Sequence, residues 1–219
     1  LPVPGLSAGD VDVNEGTGRM QLTASVSNGT LWAGTNVNGG VPAGAIAITG
    51  TLAEINTALG QLTYRGLPDY NGGDQIVLQV NDQANFGAGG LQAASGTVTL
   101  TVNAVNDPPM AEDDFVKTAE DTPLTISPTV LIDNDRPGPD NENSQTIRFL
   151  PDELGAAQHG TVAWDGVNVV YTPERDFNGQ DSFTYTIDDG DPASTDIGTV
   201  TVTVTAVNDA PEPVNDVGQ

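Results

Sequence analysis

The sequence predicts an all-β protein: two tandem Greek-key β-sandwiches, with one short helix in the first. Three observations carry this. First, LTYRGLPDYNGGDQIVLQVND (62–82) returns as VVYTPERDFNGQDSFTYTIDD (169–189). Tyr64, Tyr70, Asn71, Gly72, Asp74 and Asp82 fall on Tyr171, Phe177, Asn178, Gly179, Asp181 and Asp189 at a constant offset of 107. Second, both copies run into a Thr/Val alternation, GTVTLTVNAVNDPP (96–109) and GTVTVTVTAVNDAP (198–211), there offset by 102. Third, the apolar residues inside these segments recur every second position, the period of a half-buried strand. Units of about 100 residues built from such strands point to sandwiches.

Taken in order, the first unit (1–107) contains a helix start at Thr51-Leu52-Ala53-Glu54, the pattern of a capping box. Ile55 and Leu59 follow on one face, and Gly60 is its stop. Ile76, Leu78 and Val80 then alternate with polar residues, as Phe183, Tyr185 and Ile187 do in the second unit. Val98, Leu100 and Val102 oppose Thr97, Thr99 and Thr101, and Val200, Val202 and Val204 repeat that arrangement. Asn28-Gly29, Asn38-Gly39, Asn71-Gly72 and Asn178-Gly179 read as turns between strands. The second unit runs over 108–211. The tail NDAPEPVND (208–216) matches NDPPMAEDD (106–114), so 212–219 read as the start of a following repeat. The opening Leu1–Gly9 is far shorter than the stretch 108–132 that opens the second unit, so the first unit is expected to lack its first strand.

Charge narrows the function classes. The 219 residues hold 30 Asp+Glu against 6 Lys+Arg, a net charge of −24. That excludes nucleic acid and anionic membrane, which need a basic footprint. No Cys is present, so disulfides, thiolate metal sites and Cys nucleophiles are excluded. No apolar run reaches the roughly 18 residues of a membrane span, and LPVPGLSAGD has neither the basic nor the apolar region of a signal peptide. Residues 1–107 carry 8 acids and 2 bases, residues 108–219 carry 22 and 4. The acids gather at segment ends rather than in strand cores. Carboxylates and Asn carbonyls on turns are hard oxygen donors suited to Ca²⁺. A solvated acidic surface with Asp and Asn capping turns is the alternative reading. Asn-Asp at both unit ends (106–107 and 208–209) favours metal. Asp10-Val-Asp12-Val-Asn14 imitates an EF-hand loop, but Glu15 stands where that loop needs Gly and Gln21 where it needs Glu.

The second unit resembles the cadherin-like tandem repeats of large bacterial surface and secreted adhesins. The resemblance rests on AVNDPP, AEDDFVKTAEDTPLTI, VLIDNDRPGPD, HGTV, VVYTPERDFNGQDSFTYTIDDGD and GTVTVTVTAVNDAP, spanning nearly all of 104–211. The first unit is similar to the chondroitin-sulfate-proteoglycan type of cadherin-like repeat through DVDVNEGTG, VSNGTL, GTLAEINTALGQLTY, DYNGGD and the closing VND. This resemblance implies a cadherin/Ig-like fold, an extracellular or cell-surface location, adjacent repeats as partners with glycans or surface proteins beyond them, and Ca²⁺ between successive domains. Carried over residue by residue, it implies a junction site of Asp69, Asn106, Asp107, Asp133, Asp135 and Asp188 or Asp189. It implies a half-site of Glu120, Asp176, Asn208 and Asp209 facing the next repeat, and another of Asp10, Asp12 and Asp82 facing the preceding one. Asn71 and Asn178 replace the family's Glu, which removes charge from each site. Calcium would then stiffen the array into a rod.

Enzymatic readings fare worse. His159, the one His, sits in a His-Gly-Thr turn equivalent to Asn28-Gly29-Thr30, with no Ser partner indicated. Carboxylate pairs of the glycosidase kind are disfavoured because the acids recur with the repeat. A self-formed Lys–Asn cross-link is excluded in the first unit, which has no Lys, and left only to Lys117 in the second. Trp32 and Trp164 are expected in the cores, and a carbohydrate-binding module, with either Trp stacking on sugar, is the alternative function.

Overall fold

A computed structural model describes residues 1–9, 18–34, 42–83 and 90–210. Asp10, Asp12, the EF-hand-like stretch around them, Asn38-Gly39 and the repeat-like tail from 211 onward lie outside the described residues. The chain divides into two compact units, Leu1–Val105 and Asn106–Gln219.

The first unit holds β1 (Met20–Ser25), β2 (Gly29–Trp32), β3 (Ala45–Gly50), α1 (Leu52–Gly60), β4 (Thr63–Gly66), β5 (Gly72–Asn81) and β6 (Ala93–Val102). One antiparallel sheet runs β3-β1-β5-β6, and β2 pairs with β4 to form the second layer. Their inward residues, among them Ala24, Leu31, Ile46, Leu62, Tyr64 and Ile76, make the core. The short second layer leaves one end of the long sheet uncovered, and α1 covers it. Ile55 and Leu59 pack with Met20 and Leu22, all four at most 3% exposed. The capping box forms as expected: Thr51 Oγ1 accepts the Glu54 N–H, and the Glu54 carboxylate accepts the Thr51 N–H at 2.8 Å.

The second unit holds β7 (Asp114–Ala119), β8 (Leu124–Ile126), α2 (Pro128–Leu131), β9 (Arg148–Leu150), β10 (Gly160–Trp164), β11 (Val169–Pro173), β12 (Gly179–Asp188) and β13 (Thr195–Thr205). The sheets run β7-β13-β12-β9 and β10-β11-β8, the chain crossing between them in Greek-key fashion. Among the described residues, only β7 and β13 pair in parallel. The single turn of α2 was not expected. Pro128 at its first position favours the start, and four residues are too few to show a helical period.

The repeat is structural as well as sequential. β2 and β4 correspond to β10 and β11, since Gly29 faces Gly66 as Gly160 faces Pro173. β5 and β6 correspond to β12 and β13. Pro2 bridges Thr63 and the Val3 N–H reaches the Leu62 carbonyl, at the place where β8 lies beside β11. Gly29 and Gly160 are more than turn residues. A Cβ on either would lie within 2.7 Å of a ring atom of Tyr64 or Tyr171, so a bare backbone is needed under each tyrosine.

One expectation needs correcting. Acids do enter the strand cores: Asp74, Asp181 and Asp188 lie on β5 and β12 and are 2–6% exposed. Asp181 accepts N–H groups of Gln158, His159 and Ser182 and the Tyr171 hydroxyl at 2.8–3.0 Å. Asp74 does the same with Ser27, Asn28, Gln75 and Tyr64. Burial alone would push both carboxyls up, but the converging donors outweigh it and hold them below the usual carboxylate range. Burial, aided by the bond to Asp74, pushes the Tyr64 hydroxyl up to about 12. The tryptophans also part company. Trp164 packs against Phe149 with ring centroids 5.6 Å apart, beside the core. Trp32 is half-buried on the opposite, outer face of β2, where it lines a depression of about 270 Å³ with Thr30, Pro42, Thr63 and Arg65.

Candidate metal centre

Two tight turns and one strand end build the centre. The turn between β11 and β12 closes with the Phe177 N–H on the Glu174 carbonyl and places Asp176 in left-handed backbone at φ 57°. Asp tolerates that region better than most residues, because its short side chain bonds locally. The turn after β7 puts Asp121 in the same conformation, φ 57°. The two turns are tied: the Asp176 N–H donates to Asp121 Oδ1 at 3.2 Å. The strand end arrives by way of Glu120. This side chain is 5% exposed, and its carboxylate accepts the Val207 N–H and the Asn178 side-chain amide. Beyond Val207 the chain delivers Asp209. Asp121, Asp176 and Asp209 each offer one carboxylate oxygen within 4.8 Å of the other two, and all three are exposed.

Asp176 and Asp209 were expected in this half-site. Glu120 was also expected here as a ligand, and its carboxylate accepts the Val207 N–H and the Asn178 amide; Asn208 is exposed beside Asp209. Asp121 was missed, although it directly follows Glu120. Its signal was the equivalence of two Asp-centred turns, visible only as backbone conformation. Asp69 repeats that turn in the first unit, exposed and at φ 57°, with the Tyr70 N–H on the Leu67 carbonyl. Asp82 is buried and accepts the Gln92 N–H at 2.9 Å, closing the loop between β5 and β6.

The remaining expected ligands lie at the opening of the second unit and form two groups. In one, Asn106 donates to Asp189 Oδ2 at 2.8 Å and to Ser194 Oγ, and accepts from Gln145 at 2.7 Å. The Asp107 N–H reaches the buried Glu142 carboxylate at 3.2 Å. Asp189 also takes the Asp191 N–H. Burial pushes it up, but this donor and those of Asn106 and Ser194 hold it below its ordinary range. Asp188 is not brought into this group. Arg148 pairs with both its oxygens, at 2.6 and 3.0 Å, and this holds its carboxyl low.

The second group gathers around Tyr185. Its hydroxyl, with one hydrogen to give, lies 3.1–3.2 Å from both Asp135 oxygens, 3.1 Å from the Glu112 carbonyl and 2.9 Å from the Leu131 carbonyl. Asp114, not expected here, completes the group, and its Oδ2 is buried without a hydrogen-bond partner. Burial pushes Asp114 up to about 6, with the Tyr185 hydroxyl working against it and the Asp135 and Asp113 charges adding to it. Burial likewise raises Asp135. Asp133 is exposed nearby in sequence.

No curated protein matches the chain. Among solved structures, an endo-fucoidan hydrolase of glycoside hydrolase family 107 aligns over 85% of this chain and 24% of its own, at 13% identity and a TM-score of 0.27. Drosophila N-cadherin EC1-4 aligns over 86% of this chain and 41% of its own, at 17% identity and a TM-score of 0.35. Mouse cadherin-23 EC22-24 aligns over 83% and 53%, at 17% identity and 0.34. The chain thus spans about a quarter of the first of these and about half of the last. Residues 106–205, which form the Greek-key pair of sheets of the second unit, match the model of the Bacterial Ig domain family.

Proposed function

We propose that this chain is a calcium-binding structural module of a bacterial surface or secreted adhesin, in which Ca²⁺ stiffens a tandem array. The observation that carries the reading is the convergence of Asp121, Asp176 and Asp209. The donor set fits the ion: three carboxylate oxygens, close enough to share one cation whose oxygens lie at about 2.3–2.6 Å. Calcium, when bound, supplies positive charge that offsets their mutual repulsion. The chain's own residues do the rest. Glu120 fixes the strand that carries Asp209, and the Asp176 N–H to Asp121 bond sets the spacing of the two turns. By the resemblance, Asp69, Asn106, Asp107, Asp133, Asp135 and Asp188 or Asp189 remain proposed calcium ligands, as do Asp10, Asp12 and Asp82. The orphaned oxygen of Asp114 beside Asp135 supports a cation near Tyr185. The Arg148 pair makes Asp189 the better member of the 188–189 choice. Surface location, adjacent repeats as partners and an affinity of about 10⁻⁴–10⁻³ M, common in extracellular modules, follow from the same reading.

Calcium titration by calorimetry, with amide shifts followed by NMR, tests it. Shifts should concentrate at 119–122, 175–178 and 207–209, and the combined change Asp121→Asn, Asp176→Asn, Asp209→Asn should abolish them. Binding unchanged in that variant would overturn the assignment. Small-angle scattering in calcium and in chelator tests stiffening; identical maximum dimensions would sink it.

A second reading, a carbohydrate-binding module, is favoured by one observation: Trp32 faces outward beside Arg65 and two threonines. Glycan-array binding lost on Trp32→Ala would support it, and an array without signal would remove it.

A further inference from the structure

The chain contains four Asn-Gly pairs, and the three that fall on described residues are held very differently. An asparagine followed by glycine is open to a reaction that needs no enzyme. The glycine nitrogen attacks the side-chain amide carbon, and no Cβ on the glycine stands in its way. In a folded chain the reaction depends on how freely the side chain swings toward that nitrogen. Asn28 is half-buried; its amide donates to the Tyr70 hydroxyl at 3.1 Å and its N–H to Asp74 at 3.0 Å. The following Gly29 is buried in β2 beneath the Tyr64 ring. The Asn178 amide donates to the Glu120 carboxylate at 3.3 Å, and a carboxylate made at 178 would face that buried charge. Asn71 differs on each count. It is exposed, its side chain makes no hydrogen bond among the described residues, and Gly72 after it is exposed at φ 126°. A Cβ on Gly72 would meet nothing nearer than the Tyr70 hydroxyl at 3.5 Å, so the space beside this glycine is open. The bond from the Tyr70 hydroxyl to the Gly73 carbonyl spans the pair without holding the Asn71 side chain.

We propose that Asn71 is a self-modification site, converted without an enzyme to aspartate and isoaspartate. The Gly72 nitrogen forms a bond to Asn71 Cγ, the Cγ–Nδ2 bond breaks, and ammonia leaves with the proton of the Gly72 N–H. Water then opens the cyclic imide at either carbonyl, and its oxygen ends in the new carboxylate. Both products exchange a neutral amide for an acid, taking the net charge from −24 to −25. They differ in the main chain. Aspartate keeps the backbone, whereas isoaspartate inserts a methylene directly before Gly72, where β5 begins its pairing with β6 at Gly72–Val102. The turn that carries Asp69 is then joined to β5 by a longer link.

The test incubates the full 219-residue chain in mildly alkaline oxygen-18 water, which favours loss of the Gly72 proton, and locates the heavy oxygen by peptide mass spectrometry. A methyltransferase selective for isoaspartate marks that product. In the folded chain Asn71 should take up label about tenfold faster than Asn28 or Asn178, the rate equivalent of the hydrogen bond each of those must first break. In urea the three rates should converge, because each is then an Asn-Gly pair in an open chain. Asn71→Gln should remove the label at 71 and leave the other two rates unchanged; the side chain is exposed and unbonded, so folding is not at stake. Equal rates in the folded chain, or no label at 71 while the urea sample converts, would overturn the proposal. So would the same ranking in urea, which would assign the difference to sequence and not to the fold.

Discussion

Four donors converge on the carboxylate of Asp181, and the same number on Asp74, one turn and one tyrosine in each unit being tied through a single buried anion. An Asn at 181 keeps the shape but has one acceptor oxygen, and turns an NH₂ toward donors that need an acceptor. Asp181→Asn should therefore cost about 2 kcal/mol or more at pH 7, measured by urea unfolding. The pH dependence has a definite sign. The folded-state carboxyl lies below its unfolded value, so its contribution is fully present above about pH 4 and is lost as pH falls through the folded value. The variant should lose less stability than the wild type on acidification through that window; parallel curves would contradict the role. This buried pair was half legible. Asp74 and Asp181 stand in phase with Ile76 and Phe183, so period two already turned them inward. What the pattern did not contain was the set of N–H groups from a turn more than twenty residues away. Asp121 was illegible for a related reason, since its left-handed backbone has no signature beyond the residue type.

At the scale of elements, α1 shows how a local signal acquires a tertiary purpose. The capping box and the Ile55/Leu59 face were readable, and the helix ends at Gly60 as expected. That it covers the part of the long sheet left open by the short β2–β4 layer was not, because periodicity names a face and not its partner. Ile55 is fully buried against Met20 and Leu22. Ile55→Ala should destabilise the first unit by about 2–4 kcal/mol through lost contact and a residual cavity. The melting transition of the second unit should not move; a shift in both would show that the helix has a wider role. The glycines under the tyrosines give a companion prediction. Gly160→Ala sets a Cβ 2.7 Å from the Thr172 carbonyl, which is backbone and yields little. A loss of about 1–3 kcal/mol in thermal unfolding of the second unit is expected. Parallel pairing of β7 with β13 was equally beyond the sequence, for alternation is the same in parallel and antiparallel strands.

For the molecule as a whole, the net charge of −24 is both an obstacle and a probe. Most of it belongs to the second unit, where Arg148 offsets Asp188, and hydrogen-bond donors solvate the ionised Asp181 and Asp189 without removing their charge. In the exposed group of Asp121, Asp176 and Asp209, Asp176 Oδ2 lies 3.4 Å from Arg175 Nε, an exposed pair that offsets only part of the group's charge. An 88-residue separation between Asp121 and Asp209 explains why repeats were needed to foresee even part of this group. If the group holds calcium, the ion binds the folded state alone. With a dissociation constant of about 10⁻⁴–10⁻³ M, 10 mM Ca²⁺ should add about 1.4–2.7 kcal/mol to the second unit. For a domain of this size that raises the melting temperature by about 5–15 °C in scanning calorimetry. Screening of surface repulsion is a separate effect and is matched by Mg²⁺ at equal ionic strength, since Mg²⁺ sheds its water reluctantly and demands octahedral geometry. The expected result is a calcium increment well above the magnesium one, confined to the second unit's transition and removed by Asp121→Asn with Asp176→Asn. Equal increments from the two ions would assign the acidic surface to solvation, and the repeated turns would then be caps and nothing more.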